Sequence, residues 1–204
     1  MIKKIDTKPG AVALDTYTIF KEKKHAEHIA NPVSIQALYT LLREIRPVRV
    51  LEIGGGIGTL SYMMLKNSNV YVDIFEDVPL CVNAMKENLA AYDGRYRIFT
   101  SYEAVVLPQP SYDLVVVDGG TDSLIKNIFR QLTNVRAIYI DGHRDGQRVL
   151  MRRELARVYR CRTVRYRDPQ RMMKGGSAIF CVKSRNALAR YMSYLYGELL
   201  SRRD

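Results

Sequence analysis

One ten-residue stretch, RVLEIGGGIG over residues 49–58, constrains this chain more than any other. Its first half is a short apolar run rich in branched residues, of the kind that a strand buried on both faces needs. Its second half carries glycine at 54, 55, 56 and 58, which lets the backbone turn sharply and approach a ligand closely. A buried strand, such a turn and a following helix together suit a nucleotide-like ligand. The register argues against a dinucleotide fingerprint: in GxGxxG starting from Gly54 the third glycine falls at residue 59, which is Thr59.

The flanking chain alternates in character. Upstream, SIQALYTLLREI puts Ile35, Leu38, Leu41, Leu42 and Ile45 on one helical face, with Ser34 as N-cap after Pro32. Downstream, the pattern predicts helices over 58–66, 79–91, 122–132 and 146–159. Between them it predicts strands over 70–75, 96–100, 113–118 and 136–141. Strands alternating with helices imply a parallel sheet covered on both sides. RTVRYR and SAIFCVK then flank a loop with Asp168, Pro169, Gly175 and Gly176, which reads as a closing antiparallel hairpin. Residues 185–201 form a final amphipathic helix with Leu188, Tyr191, Met192, Leu195 and Leu199 on one face. It can pack on its own sheet or, through Tyr191, Tyr194 and Tyr196, serve a homodimer. No linker or repeat interrupts the chain, so the expectation is one domain over 1–204. It comprises an N-terminal helical lid or cap segment (1–46), a core (47–184) and a C-terminal helix (185–204).

Composition narrows the class further. With 47% hydrophobic and 26% charged residues over 204 positions, the chain can bury a continuous core without disulfides or a structural metal. Cys81, Cys161 and Cys181 are far apart in sequence and lack CxxC spacing, so they read as core thiols rather than a disulfide framework or zinc site. No run of 18 apolar residues occurs, and the opening MIKKIDTKPG has no apolar stretch behind its lysines. The expectation is a cytoplasmic protein that does not enter the membrane. A net charge of +11 favours anionic partners. Its basic residues, concentrated over 21–24 and 144–171, read either as a solvated face or as a nucleic-acid groove.

The spacing of Glu52, Gly54, Gly56 and Gly58, ExGxGxG, resembles motif I of the class I S-adenosylmethionine (SAM)-dependent methyltransferases. The strand YVDIF is followed by Glu76, twenty residues after Gly56, and the stretch EDVPLCVNAMKENL is similar to that family's acid, proline and amphipathic helix. The resemblance implies an α/β fold: a Rossmann-like, doubly wound, mostly parallel seven-stranded sheet with an antiparallel C-terminal hairpin. It also implies SAM as cofactor, with the glycine turn under the methionine part. Glu76, with Asp77 beside it, would hold the ribose hydroxyls, since two carboxylate oxygens can receive both protons at once. Where many relatives have an Asp for the adenine, this chain has Thr100, Ser101 and Tyr102. Ser101 can hydrogen-bond the adenine and Tyr102 can stack on it, or the segment is a plain surface loop.

The layout over 31–141, including PVSIQALYTLLREIRPVRVLEIGGGIG and YDLVVVDGG, resembles the catechol and caffeoyl-CoA type of O-methyltransferase. That resemblance brings Asp118 and Asp141 together as catalytic groups and as ligands of a divalent ion such as Mg²⁺, which lowers the pKa of a substrate hydroxyl. Gly142 replaces the Asn that completes the set. Alternatively Asp118 orders waters or amides near the cofactor. His143 offers an imidazole as general base or caps the strand end, and Asp145 reads as a helix N-cap. The function expected is methylation of a small-molecule hydroxyl, with residues 3–31 as a lid whose KEKKHAEH stretch reaches an anionic substrate. Methylation of RNA or another polyanion and non-catalytic SAM binding stand as the other readings.

Overall fold

The computed structural model describes residues 2–101, 106–142, 144–170 and 172–201. The chain opens on a strand, β1 (Ile2–Asp6), followed by α1 (Ala11–Lys21) and α2 (Pro32–Ile45). Four parallel strands come next, the first three each preceded by a helix: β2 (Arg49–Ile53), α3 (Thr59–Asn67), β3 (Tyr71–Phe75), α4 (Pro79–Leu89) and β4 (Tyr96–Phe99), then β5 (Leu114–Val117), which is followed by α5 (Asp122–Gln131). The last part runs β6 (Ala137–Ile140), α6 (Asp145–Leu155), β7 (Tyr159–Arg167), β8 (Lys174–Lys183) and α7 (Ala187–Ser201).

These strands form one sheet in the order β1-β7-β8-β6-β5-β2-β3-β4. β8 runs antiparallel to both β6 and β7, and every other pairing is parallel. The doubly wound sheet with its antiparallel hairpin is therefore as expected, but it has eight strands where seven were read. The extra one is β1. Its IKKID has too few apolar residues to announce a strand, and it needs few because it lies at an edge, paired only with β7. The first segment, read as helical lid, thus begins inside the sheet.

Alternate residues of each strand feed two cores. Val50, Val72, Ile74, Leu114, Val116 and Tyr139 pack against helices α1 to α4, while Leu51, Ile53, Val115, Val117 and Ile138 pack against α5 and α6. β5 is buried at every position, LVVV, as a central parallel strand must be. The helix α2 buries Leu38 and Leu41 completely, each side chain contributing roughly 1.5–3 kcal/mol by leaving water. Its N-cap is Asn31 rather than Ser34: the Asn31 side chain accepts from the Val33 and Ser34 N–H groups at 3.0 and 3.1 Å, and Pro32 occupies the first helical position. Likewise Asp145 is the first residue of α6, with Arg144 at its N-cap position, and α6 ends at Leu155 because Tyr159 already belongs to β7. Among the described residues no helix is long and apolar enough to cross a membrane.

One buried polar cluster ties the sheet's far side together. Asp73, in the middle of β3, takes two bonds from the Arg97 guanidinium on β4 at 2.9 and 3.2 Å and one from the Tyr112 hydroxyl at 2.7 Å. Burial, then the bond to Asp73, drives the Tyr112 hydroxyl's pKa far above its usual range. Replacing Asp73 by Ala leaves the buried phenol without its acceptor and the guanidinium without its partner. Urea denaturation of Asp73→Ala is expected to show a loss of about 2–3 kcal/mol, whereas Arg97→Ala, whose side chain is half exposed, should cost less.

Candidate functional site

The carboxyl ends of β2, β3, β5 and β6 open onto one crevice, where the chain winds from β2 toward one edge of the sheet and returns through β5 toward the other. The glycine turn sits at this switch point. Gly54 and Gly55 both donate to the Phe75 carbonyl at 2.9 and 3.2 Å, and Gly54, Gly56 and Gly58 all adopt positive φ (82°, 52° and 91°). A Cβ on Gly54 would lie 2.6 Å from the Gly119 backbone, so the ends of β2 and β5 touch main chain to main chain. Gly55, outside the ExGxGxG spacing, is equally constrained: its Cβ would meet Ile74 and Met85 at 2.5 Å. By contrast nothing lies within 4 Å of a Cβ at Gly56, which faces open space. The Asn88 side chain of α4 holds the Ile57 carbonyl at 2.9 Å.

Glu76 follows β3 directly. Its Oε2 accepts from the Gly56 N–H at 2.8 Å and its Oε1 from the Val78 N–H at 2.9 Å. Each oxygen is thereby oriented and keeps a further lone pair for a ligand hydroxyl. Glu52 behaves differently. It is buried in β2 and accepts a hydrogen bond from the Ser61 hydroxyl of α3. Burial, with smaller contributions from the nearby Glu76 and Asp141 charges, pushes its pKa up to about 8 against the lowering effect of Ser61. It therefore lies beneath the turn as a largely protonated acid rather than as a free anionic ligand group. Asp77 and Ser101 are exposed. Tyr102 and His143 lie outside the described residues.

Asp118 and Asp141 end β5 and β6, and their carboxyl groups hydrogen-bond each other. Burial raises both pKa values, and at Asp118 the Asp141 and Glu52 charges add to the rise against the lowering effect of Arg144, leaving its pKa well above the usual carboxylate range. Asp141 also meets the Ser34 hydroxyl and, at 3.3 Å, the Tyr139 hydroxyl. That phenol lies 2.9 Å from the Ser34 carbonyl and 3.0 Å from the Gly175 carbonyl, so one hydroxyl joins α2, β6 and β8 behind the pair.

A divalent ion fits this arrangement poorly. Mg²⁺ demands six oxygens in near-ideal octahedral geometry. The third protein position is Gly142, which has no side-chain donor, and among the described residues no three His, Cys, Asp or Glu side chains group into a metal cluster. Moreover the pair already has a cation. The Arg144 guanidinium lies 3.6 Å from the Asp118 carboxylate and donates to the Asp118 carbonyl. Sequence reading passed over Arg144, which lies among many arginines without distinguishing spacing.

Part of the N-terminal segment borders the crevice. A short 3₁₀ turn, Ala26–His28, follows a left-handed residue, His25 (φ 64°). Together with Gly55, Gly56, Leu80, Cys81 and Asp118, the residues His25, Glu27, His28 and Ile29 line a cavity of about 220 Å³. A larger groove of about 660 Å³, bordered by Arg49, Arg95 and Arg97, lies at the opposite, amino-terminal ends of β2, β3 and β4.

No protein-family model matches the sequence, and a search of curated proteins finds no match. Solved structures do match. An SAH-bound methyltransferase from Podospora anserina superposes with a TM-score of 0.62 at 14% identity, over 85% of this chain and 89% of that one. An O-methyltransferase from Streptomyces achromogenes, solved with SAM, gives 0.61 at 13% identity over 87% and 92%. A tRNA (m1A58) methyltransferase from Aquifex aeolicus gives 0.64 at 14% identity over 85% and 76%. At such identities the likeness establishes the fold, which this chain shares with enzymes of different acceptors.

The burial of Glu52 generates a pH effect. The native state holds a proton up to about pH 8 that the unfolded chain releases above its ordinary value of 4.5. Stability from this group is full below that value and is lost as pH rises toward 8. Between pH 5 and 8, wild type is expected to lose about 1 kcal/mol per pH unit relative to Glu52→Gln, read by urea denaturation of both at each pH. Parallel curves would refute the buried, protonated acid.

Proposed function

We propose that this chain is a SAM-dependent methyltransferase that methylates a hydroxyl of a small, anionic molecule. The observation that carries the reading is Glu76, whose two oxygens are aimed by the Gly56 and Val78 amides at the mouth of the glycine turn. That is what a ribose with two adjacent hydroxyls requires, and Gly56 leaves open space for the ligand beside it. Neighbours of the same fold that were solved with SAM or SAH support the cofactor.

When bound, SAM supplies a methyl group on a positively charged sulfur, already activated for transfer. The protein's part is positioning and proton handling. Residues 25–29 line the cavity together with Asp118 and would hold the acceptor there beside the cofactor. As the hydroxyl becomes an ether its proton would pass to Asp118 in the ionised form that Arg144 favours, and burial raises the affinity of that carboxylate for the proton. Asp141, itself held by Ser34 and Tyr139, stands beside that group. Arg144 provides fixed positive charge beside Asp118, and no step needs a metal.

Two observations favour a small anionic acceptor over RNA. The cavity next to the turn holds only about 220 Å³, and it is bordered by His25, Glu27 and His28, with the exposed Lys23 and Lys24 just before them in sequence. The broad arginine-lined groove lies at the other end of the strands, where a polyanion bound to it would be far from the crevice.

Calorimetric titration of SAM and S-adenosylhomocysteine into wild type and Glu76→Ala tests the cofactor. At least about tenfold weaker binding is expected in the variant, equivalent to about 1.4 kcal/mol. A folded wild type that binds neither compound would sink the proposal. For turnover, a chelator is expected to leave the rate unchanged, Asp118→Asn to reduce it at least about a hundredfold, and Arg144→Met to lower it without abolishing SAM binding. Loss of activity on chelation, restored by Mg²⁺, would overturn the role given to Arg144.

A further inference from the structure

Cys161 and Cys181, far apart in sequence, stand directly opposite each other in the antiparallel pairing of β7 with β8. The hydrogen-bond pattern fixes what kind of pair they form. Val158 and Ser184, three places along, share a ladder bond at 3.1 Å, whereas the Cys181 N–H turns the other way, to the Arg136 carbonyl beside β6, at 2.9 Å. Both backbone groups of Cys161 are taken from outside the hairpin: its N–H donates to Ser193 Oγ of α7 at 2.9 Å, and its carbonyl accepts from the same hydroxyl at 2.8 Å. The two cysteines thus form a non-hydrogen-bonded pair, the register in which opposed Cα atoms sit about 4.5 Å apart and side chains come closest. A disulfide spans about 4.4–6.8 Å between Cα atoms.

Chemistry divides the pair into unequal partners. Both side chains pack on the α5–α6 face, with Cys181 buried and Cys161 partly accessible. Each thiol donates to a carbonyl two residues back in its own strand, Cys161 to Tyr159 and Cys181 to Ile179, and their mutual influence lowers the pKa of Cys161 and raises that of Cys181, with the Arg152 charge adding to the lowering at Cys161. The accessible sulfur is therefore also the one that ionises first.

We propose that Cys161 and Cys181 are a reversible oxidation site, converted to an intramolecular disulfide by small disulfides such as oxidised glutathione. The Cys161 thiolate attacks one sulfur of the small disulfide, forming a mixed disulfide and releasing the first glutathione. Cys181 then gives up its proton and attacks the Cys161 sulfur, closing the bridge and releasing the second. Two protein thiols are oxidised by two electrons, and one small disulfide is reduced to two thiols.

The test treats the folded chain, as wild type and as Cys81→Ser, with oxidised glutathione and counts free thiols alongside the intact mass. Wild type is expected to fall from three free thiols to one, with loss of two hydrogens, no added glutathione, a peptide joining residues 161 and 181, and full reversal by dithiothreitol. Cys81→Ser should end with none, while Cys181→Ser should stop at a mixed disulfide on Cys161. Should any single variant fail to fold, the joined peptide in wild type decides alone. Thiols at 161 and 181 that stay free in the folded chain, or bridges only between molecules, would overturn the proposal.

Discussion

The contact on which this molecule turns is the meeting of two bare stretches of main chain. Gly54 at the end of β2 and Gly119 just after β5 approach so closely that neither tolerates a Cβ. These are the strands between which the sheet reverses its winding, so their carboxyl ends cannot splay without opening the core behind them. The close approach draws the loops after β2, β5 and β6 to one point. It also leaves the turn bare of side chains, with its glycine amides held by the Phe75 and Gly55 carbonyls and by Glu76, and with open space beside Gly56.

Around that point the protein gathers four acids, Glu52, Glu76, Asp118 and Asp141, and gives each a different electrostatic fate. Glu76 is held by two backbone amides. Glu52, out of reach of water, keeps its proton and acts as a neutral hydrogen-bonding strut under the turn. Asp118 and Asp141 share an environment in which ionising both is costly, relieved on one side by Arg144. The same residue type therefore serves as acceptor, strut and proton store, decided by burial and neighbours.

How much of this was legible beforehand follows from what each feature depends on. The glycine turn and its strand are local, each within a few residues of the next, so spacing exposes them, whereas Glu76, twenty residues after Gly56, was read through the resemblance. The pairing of Asp118 with Asp141 was also readable, through the strand order that the resemblance implied. Arg144, Ser34 and Tyr139 were not, because their roles arise from which helix and strand pass behind β6. The edge strand β1 lacked an apolar signature, since an edge strand has little to bury. Cys161 and Cys181 became neighbours only once the register of β7 on β8 was known, and a shift of one residue would send them to opposite faces. Capping shows the same limit on a small scale: Asn31 and Ser34 are both good caps, and only Pro32 at the first helical position separates them.

The parallel pairing of β1 with β7 bears on how the chain assembles. Residues 2–6 lie against residues 163–167, so the first strand has nothing to pair with until almost the entire sheet has been synthesised. Contacts of such long sequence separation form late, because a large loop must be closed before they give any return. The segment that borders the crevice is tethered at its far end by this strand. A growing chain can therefore build the glycine turn and the central strands first, and fixes the far end of that segment only when its first strand meets β7.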